Sequence, residues 1–588
     1  MTARSSPAPV GAPHVLVGCP RAALVPDGDG PGGRLQGLTD DGRPIGEPVA
    51  VADVARAVAE VEGSGRAPRW VWAAADDAYA PILPVRVTRC HDLALVEALL
   101  LAHEGGFGLP RSLGAVWARL HGLPVPDDLP AHADPHGGQD SLFAPDRRRL
   151  PPGVDALTAV VAVHADQQRR IQAIEDPAAR ARFRLLVAAE SSGGLTAAEM
   201  AYDGLPWRVE AHNTVLSELL GPRPAIAGAP PAKLAAAAAR LREALGGKAF
   251  NPDSHTQVVK AFADQGVRLT STRRYVLREI DHPAAELLIR YKELSRLHTA
   301  HGWAWQDTWV HGGRFRPEYV VGGVVSGRWA GRGGGALQIP RILRSAVVAD
   351  PGWCLVVADA AQVEPRVLAA MSRDGGLARM AAGGDLYEAL AAAAFQGDRD
   401  KAKLGLLGAM YGQTSGDIGP LLATLRRRYP NAMGFVEAAA RTGEDGGIVR
   451  SVLGRACPPP SADFLDLADG ATPGAAEPSD SATARWARAR GRFTRNFVIQ
   501  ASAADWALVL LAVLRGRLTA LAEGAPGRPH LVFFQHDEVI VHTPRVMADA
   551  VVAAVEAAAD EAKQLVFGDV PVRLPVVPAV VDDYASAK

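Results

Sequence analysis

An acidic pair set in apolar sequence is the first stretch of this chain whose residue types point to chemistry. In Leu531–Val541, four apolar residues precede Gln535-His536-Asp537-Glu538 and three follow, a pattern that predicts two short strands joined by a tight turn. Adjacent carboxylates in an apolar hairpin are costly unless something cationic meets them. An ordinary surface loop could carry the same His-Asp-Glu, so the pair gains meaning only beside a second acid. Asp359, which ends the apolar run starting at Cys354 far upstream, is that candidate. If the fold joins them, Asp359 and Asp537 offer oxygen ligands to hard divalent cations. Two such ions can activate an attacking oxygen and stabilise a leaving one in phosphoryl transfer.

A second group could meet the phosphates. Asp385 to Tyr411 reads as helical, and within it Arg399, Lys403, Leu407 and Tyr411 recur every fourth residue. Steps of four drift by roughly 40° per turn, so these side chains form one stripe of two cations, an apolar group and an aromatic. That order suits a triphosphate at one end and a base and sugar at the other. A helix whose cations simply reach solvent has the same pattern. Further basic candidates are Arg485, Arg488, Arg490, Arg492 and Arg495, with no acid among them, on a helix running through Asn496 and Gln500 into the apolar stretch 501–521. The Gly- and Arg-rich run Ser326–Gly335, followed by Leu337-Gln338-Ile339-Pro340, fits close backbone approach to a polyanion and equally a flexible surface loop. Arg273, Arg274, Arg278, Arg290, Lys292 and Arg296 make an earlier helical region basic, as a solvated face would also be.

The 588 residues exceed one core and predict three to five subdomains. Apolar content of 48% and charged content of 22% are those of a folded globular protein, and a net charge of −1 requires any nucleic-acid surface to be local. Cys19, Cys90, Cys354 and Cys457 lack the close spacing of a zinc site and are expected as reduced, buried thiols. The N-terminus lacks a leader pattern and no window reads as a membrane span, so a cytoplasmic location is expected.

Residues 1–175 alternate apolar runs (His14–Val17, Trp70–Ala73, Pro84–Val87) with helical stretches (Asp92–His103, Val154–Ile174), interrupted by the loop-like Pro124–Pro152. Residues 176–300 turn helical, with Ala232–Gly246 and Pro283–Thr299 the clearest cases. Residues 456–482 read as an exposed loop.

Taken together, these motifs resemble the family-A DNA polymerases, the group typified by bacterial DNA polymerase I, over residues 185–588 and in the family's order. Asp359-Ala360-Ala361-Gln362-Val363-Glu364-Pro365-Arg366 is similar to the first palm motif and His536-Asp537-Glu538 to the last. Arg399, Lys403, Tyr411 and Gly412 match the fingers helix, and Arg492, Asn496 and Gln500 the helix that tracks template and primer. Ser326-Gly327-Arg328 and Leu337–Pro340 resemble the segment touching the minor groove near the primer end. The resemblance implies an α/β multidomain chain: an RNase H-like, exonuclease-like domain (1–175), a helical connection and thumb (176–300), palm (301–384), fingers (385–500) and the rest of the palm (501–588). It implies primer-template DNA and deoxynucleoside triphosphates as substrates, no membrane, and a monomer. Two Mg²⁺ would be held by Asp359, Asp537 and the Ala360 carbonyl, with Glu538 beside them. Arg399, Lys403, Gln362, Tyr387 and Leu407 would meet the nucleotide, and Glu364 with Tyr411 would exclude a ribose 2′ hydroxyl. Arg328, Gln338, Arg492, Asn496, Gln500 and His536 would contact DNA.

Several positions depart from the family. Ala360, Tyr387, Leu407 and Phe534 stand where relatives usually carry Tyr, His, Phe or Tyr, and Gln, which implies reduced catalytic efficiency. The N-terminal module lacks an early Asp-x-Glu. Asp92 and Asp166 could be two of a nuclease's later acids, but Ala162 stands where its tyrosine would be, so a nuclease fold without its chemistry is expected. At this length no 5′ nuclease domain is expected. The rival readings are a single-subunit RNA polymerase-like enzyme and a non-catalytic DNA-binding protein descended from a polymerase.

Overall fold

The computed structural model describes residues 16–28, 30–129, 147–226, 228–332, 338–412, 418–460 and 480–587. The chain forms two compact units: residues 1–202, 319–330 and 358–578, and residues 203–318, 331–357 and 579–588. The first begins with a five-stranded sheet built from β1 (Arg21–Pro26), β2 (Gly33–Leu38), β3 (Pro44–Val51), β4 (Arg69–Trp72) and β5 (Cys90–Asp92), in the order β3-β2-β1-β4-β5. The β1–β2–β3 meander is antiparallel, whereas β4 runs parallel to both β1 and β5. Trp70, Trp72 and Tyr79 are fully buried on this sheet's core, beside Leu195 and Ala198 of the helix Pro177–Asp203.

Two expected strands are absent. Pro84–Val87 is irregular, because the Val87 and Thr88 carbonyls are taken by the buried Arg515 guanidinium (Arg515–Thr88, 3.2 Å) and the strand forms three residues later at Cys90. Leu16 and Val17 lie in a turn, and His14 and Val15 lie outside the described residues, as do much of 124–152 and of 456–482. Of the four thiols, Cys19 is half-buried and the other three are buried.

The stretch 385–411 is two helices rather than one, Leu386–Ala394 and Arg399–Tyr411, separated by Gln396 and Gly397 with left-handed φ of 55° and 84°. A left-handed residue cannot continue an α-helix. By contrast, Asp480–Leu521 is one continuous helix of 42 residues. Every residue from Ala501 to Leu510 is buried, as expected of a helix apolar on all faces. Length and composition alone would let 484–521 cross a membrane, contrary to the expectation that no window does, but 83% of its most apolar window is buried in the protein. The helix Pro430–Glu444 crosses it at Gly443, where a Cβ would lie 2.1 Å from the Thr494 hydroxyl, so only glycine fits.

A four-stranded sheet carries the two acidic motifs, in the order His530–Gln535, Glu538–Pro544, Trp353–Ala360, Val576–Val581. The second unit is mainly helical (Val209–Leu220, Ala232–Ala244, Pro283–His301) around an aromatic cluster of Trp207, Trp305 and Phe315. There the buried His212 ring bonds the His301 carbonyl at 2.9 Å, and burial lowers its pKa to about 4.

Candidate active site

The hairpin forms as its alternation predicts. Gln535 pairs with Glu538, leaving a two-residue turn of His536 and Asp537, and His536 takes a left-handed φ of 58° that aims the turn. The Ala360 N–H donates to the Asp537 carbonyl at 3.1 Å, which joins the end of the Trp353–Ala360 strand to this turn. Burial, and then the neighbouring Asp359 carboxylate, push Asp537 up to about 6. Asp359, distant in sequence, therefore sits close enough to oppose the ionisation of Asp537. Glu538 is buried on the following strand residue.

Past Ala360 the chain turns sharply, with Gln362 at φ 56° capping the helix Val363–Ser372. Arg366 on this helix is fully buried and donates to the carbonyls of Ala361, Ala381 and Arg573 at 3.1, 2.7 and 3.1 Å, and to that of Gly384. A buried guanidinium satisfied by backbone carbonyls locks the helix start in place. Gln362 Oε1 in turn accepts from the Leu386 N–H at 2.8 Å, positioning the next helix.

Glu364 spans the site. One oxygen accepts from Arg328 and the other from the Tyr411 hydroxyl, each at 2.5 Å. Burial, together with this carboxylate, raises the Tyr411 hydroxyl well above its usual range. A cavity of about 180 Å³ lies here, walled by Arg328, Glu364, Tyr387, Leu407, His536 and Asp537, with alanines of the long helix, such as Ala503, behind. Burial pushes Tyr387 up to about 12.

Along the fourfold stripe, Arg399 and Lys403 are exposed, Leu407 and Tyr411 half-buried. Arg399 sits in the first turn of its helix, pairs with Asp385 at 2.8 Å and lies 5.6 Å from the Tyr387 ring. Burial would raise Asp385, but Arg399, the Glu388 N–H and Gln362 hold it down to about 2.

The arginine-rich helix divides by face. Arg485, Arg488 and Arg492 are exposed, with Asn496 and Gln500 half-buried beyond them. Arg490 donates to the Pro458 carbonyl at 2.7 Å, and Arg495 is buried 4.0 Å from Glu437, so these two are structural rather than part of a solvent-facing basic patch. Gln338 is exposed in the second unit, where its amide oxygen accepts from Arg296 at 3.3 Å; Gly333–Leu337 lie outside the described residues. Phe534 packs edge-on against Trp329, with centroids 5.2 Å apart, and its N–H donates to the Tyr319 hydroxyl at 2.9 Å.

Both proposed nuclease acids have partners within the protein. Asp92 caps the helix Leu93–His103, accepting from the Leu95 N–H at 3.0 Å and the Ala75 N–H at 2.7 Å, and burial raises it to about 7. Asp166 pairs with Arg169 and, at 3.3 Å, with Arg170. Among the described residues no three His, Cys, Asp or Glu side chains gather as a metal cluster. Asp92 should therefore be a stability liability. With its folded pKa above the unfolded one, this group costs no stability below about pH 4 and an increasing amount as pH rises through 7. Asp92→Asn, which keeps the cap, is expected to flatten that slope in denaturation measured from pH 4 to 8.

The fold and these motifs define a polymerase-type architecture. The structure of the polymerase domain of Pol1 from M. smegmatis, in complex with DNA primer-template and dNTP, superposes with a TM-score of 0.67, covering 96% of this chain and 95% of that one at 18% identity. The chain belongs to DNA polymerase family A, whose profile matches residues 230–582. It is 28% identical over 384 residues to the thermostable DNA polymerase I of Thermus filiformis and 26% identical over 386 residues to that of Thermus aquaticus, covering 58% of this chain in each case. It is also 28% identical over 299 residues to DNA polymerase I of Chloroflexus aurantiacus, covering 46% of this chain and 29% of that protein. The chain matches 43% of the length of each Thermus relative.

Proposed function

We propose that this chain is a template-directed DNA polymerase that adds deoxynucleotides to a primer 3′ end, working as a cytoplasmic monomer. The observation that carries the reading is the convergence of Asp359 and Asp537 beside a cavity walled by Glu364 and by Leu407 of the Arg399–Tyr411 helix. Two carboxylates and the Ala360 carbonyl form an all-oxygen donor set that fits Mg²⁺, with further positions left for triphosphate and water. When bound there, two Mg²⁺ would lower the pKa of the primer hydroxyl and neutralise charge on the leaving pyrophosphate.

The chain's own groups supply the rest. Arg399 and Lys403 clamp the triphosphate and offset charge developing on transfer. Arg399 must leave Asp385 to do so, which makes that pair a resting position. The ring of Tyr387 and the side chain of Leu407 bound the nucleotide's apolar side. Leu407 supplies no π face, so we expect weaker nucleotide binding than an aromatic would give. Primer extension with Mg²⁺, run beside Asp359→Ala, is the direct test. Failure of the wild-type chain to extend would favour the non-catalytic rival.

Glu364 favours deoxynucleotides over the ribonucleotide alternative, because held by Tyr411 it fills space that a 2′ hydroxyl would need. Glu364→Ala is expected to raise ribonucleotide incorporation by roughly tenfold or more, since a relieved clash is worth about 1–3 kcal/mol. Single-nucleotide insertion kinetics with matched ribo- and deoxy-substrates would check this; an unchanged ratio would remove Glu364 from the gate. We read the N-terminal sheet domain as a nuclease fold without nuclease chemistry, given the structural roles of Asp92 and Asp166. Trimming of a mismatched primer end that depends on either residue would overturn that.

A further inference from the structure

Ten of the chain's eleven tryptophans are buried or half-buried; Trp486 is the one exposed, at 43%. It lies near the start of the helix Asp480–Leu521, beside exposed Arg485 and Arg488. Arg485, Arg488 and Arg492, spaced i, i+3 and i+7, share one face. Trp486 and the half-buried Phe493, also seven apart, lie on a neighbouring side of the helix, about 100° round from Arg485. No acid occurs between residues 484 and 500, and among the described residues Glu444 lies against Gly491 and Glu437 near Arg495. Followed toward its C-terminus, the same helix reaches Ala503, on the wall of the active-site cavity, about 25 Å along the axis from Trp486.

We infer that this end of the helix is a stacking platform for the unpaired template strand ahead of the active site, with a base on the Trp486 indole and phosphates on Arg485 and, as the strand passes round the helix, on Arg488 and Arg492. Duplex DNA could use the arginines, but its bases are covered by their neighbours and offer no free face to an indole. An exposed aromatic among cations therefore favours single-stranded nucleic acid, whose bases stack with little sequence preference while the backbone follows the positive charge. Exposure of Trp486 also means that the fold does not need it.

This inference rests on the polymerase reading, which places template DNA at the cavity. The test compares, by fluorescence anisotropy, the affinity of the full chain for a primer-template with an eight-nucleotide template overhang and for the same duplex with a one-nucleotide overhang. The wild-type chain should prefer the long overhang. Trp486→Ala should reduce that preference by about fivefold or more, and Trp486→Phe should retain most of it. Iodide quenching gives a direct readout, because Trp486 is the tryptophan most open to a collisional quencher: the long overhang should protect the quenchable fraction and the short one should not. A wild-type chain indifferent to overhang length, or a Trp486→Ala variant with an unchanged ratio, would overturn the platform. Failure of the wild-type chain to extend primers would instead count against the polymerase reading, while the overhang ratio could still be measured.

Discussion

Replacing Asp537 with Asn should make the protein more stable and nearly inactive. Burial and the Asp359 carboxylate hold the Asp537 acid at about 6, above its ordinary value of 3.8, so at pH 7 to 8 the folded state carries an ionised group in a place that resists ionisation. A raised carboxylate pKa means that stability is complete below the unfolded value and falls as pH rises through the folded one. A shift of this size corresponds to about 3 kcal/mol. In the presence of a chelator at pH 8, Asp537→Asn should gain about that much in denaturant titration, and the gain should vanish near pH 4. With Mg²⁺ supplied, the same variant should lose about a thousandfold or more in primer extension, because the metal contribution to transition-state charge is worth several kcal/mol. Equal stability of the two proteins at pH 8 would mean that burial and Asp359 do not strain Asp537. Retained extension would mean that Asp537 is not a metal ligand.

The sequence made this pair legible because both acids end or interrupt apolar strands, and strand alternation is a local signal. The hairpin turn at His536–Asp537 follows from the same local reading. The stripe of Arg399, Lys403, Leu407 and Tyr411 was also visible, although the break at Gln396–Gly397 was not: an alanine-rich run followed by Phe395-Gln396-Gly397 contains only one strong helix breaker. Less visible was which cations are structural. Arg490 and Arg495 differ from Arg485 and Arg492 only in helix phase, and phase becomes meaningful once the helix Pro430–Glu444 is known to cover one side. Arg515 left no local signal, and Arg366 was visible only as the end of a motif and not as a buried anchor, since the decisive partners of both come from distant segments. The strand expected at Pro84–Val87 failed for the same reason, its carbonyls having been claimed by Arg515.

Removing the Arg455 guanidinium should cost about 3–5 kcal/mol of stability, the penalty for leaving buried charges without their partner. Arg455 donates to Glu190 at 2.8 Å and to Asp505 at 3.2 Å, and all three side chains are at least nine-tenths buried. Burial pushes the Asp505 carboxyl up and Arg455 pulls it back. Arg455→Met would leave two carboxylates facing each other out of water. Its deficit should shrink as pH falls and both protonate. The triple variant Arg455→Met, Glu190→Gln, Asp505→Asn should recover most of the loss, because a neutral replacement for an ion triad is often tolerated. The effect should also reach DNA. Gly327, at φ 85°, lies so close that a Cβ would stand 2.3 Å from Arg455 Nε, and Gly322 abuts Glu190 in the same way. The triad is thus the floor beneath the loop that delivers Arg328 to Glu364. With the floor gone, Arg328 should lose its fixed position, and the variant's affinity for primer-template should fall further than that of the triple variant, measured where both remain folded. If both proteins bind DNA alike, the triad supports the fold without setting the primer contact.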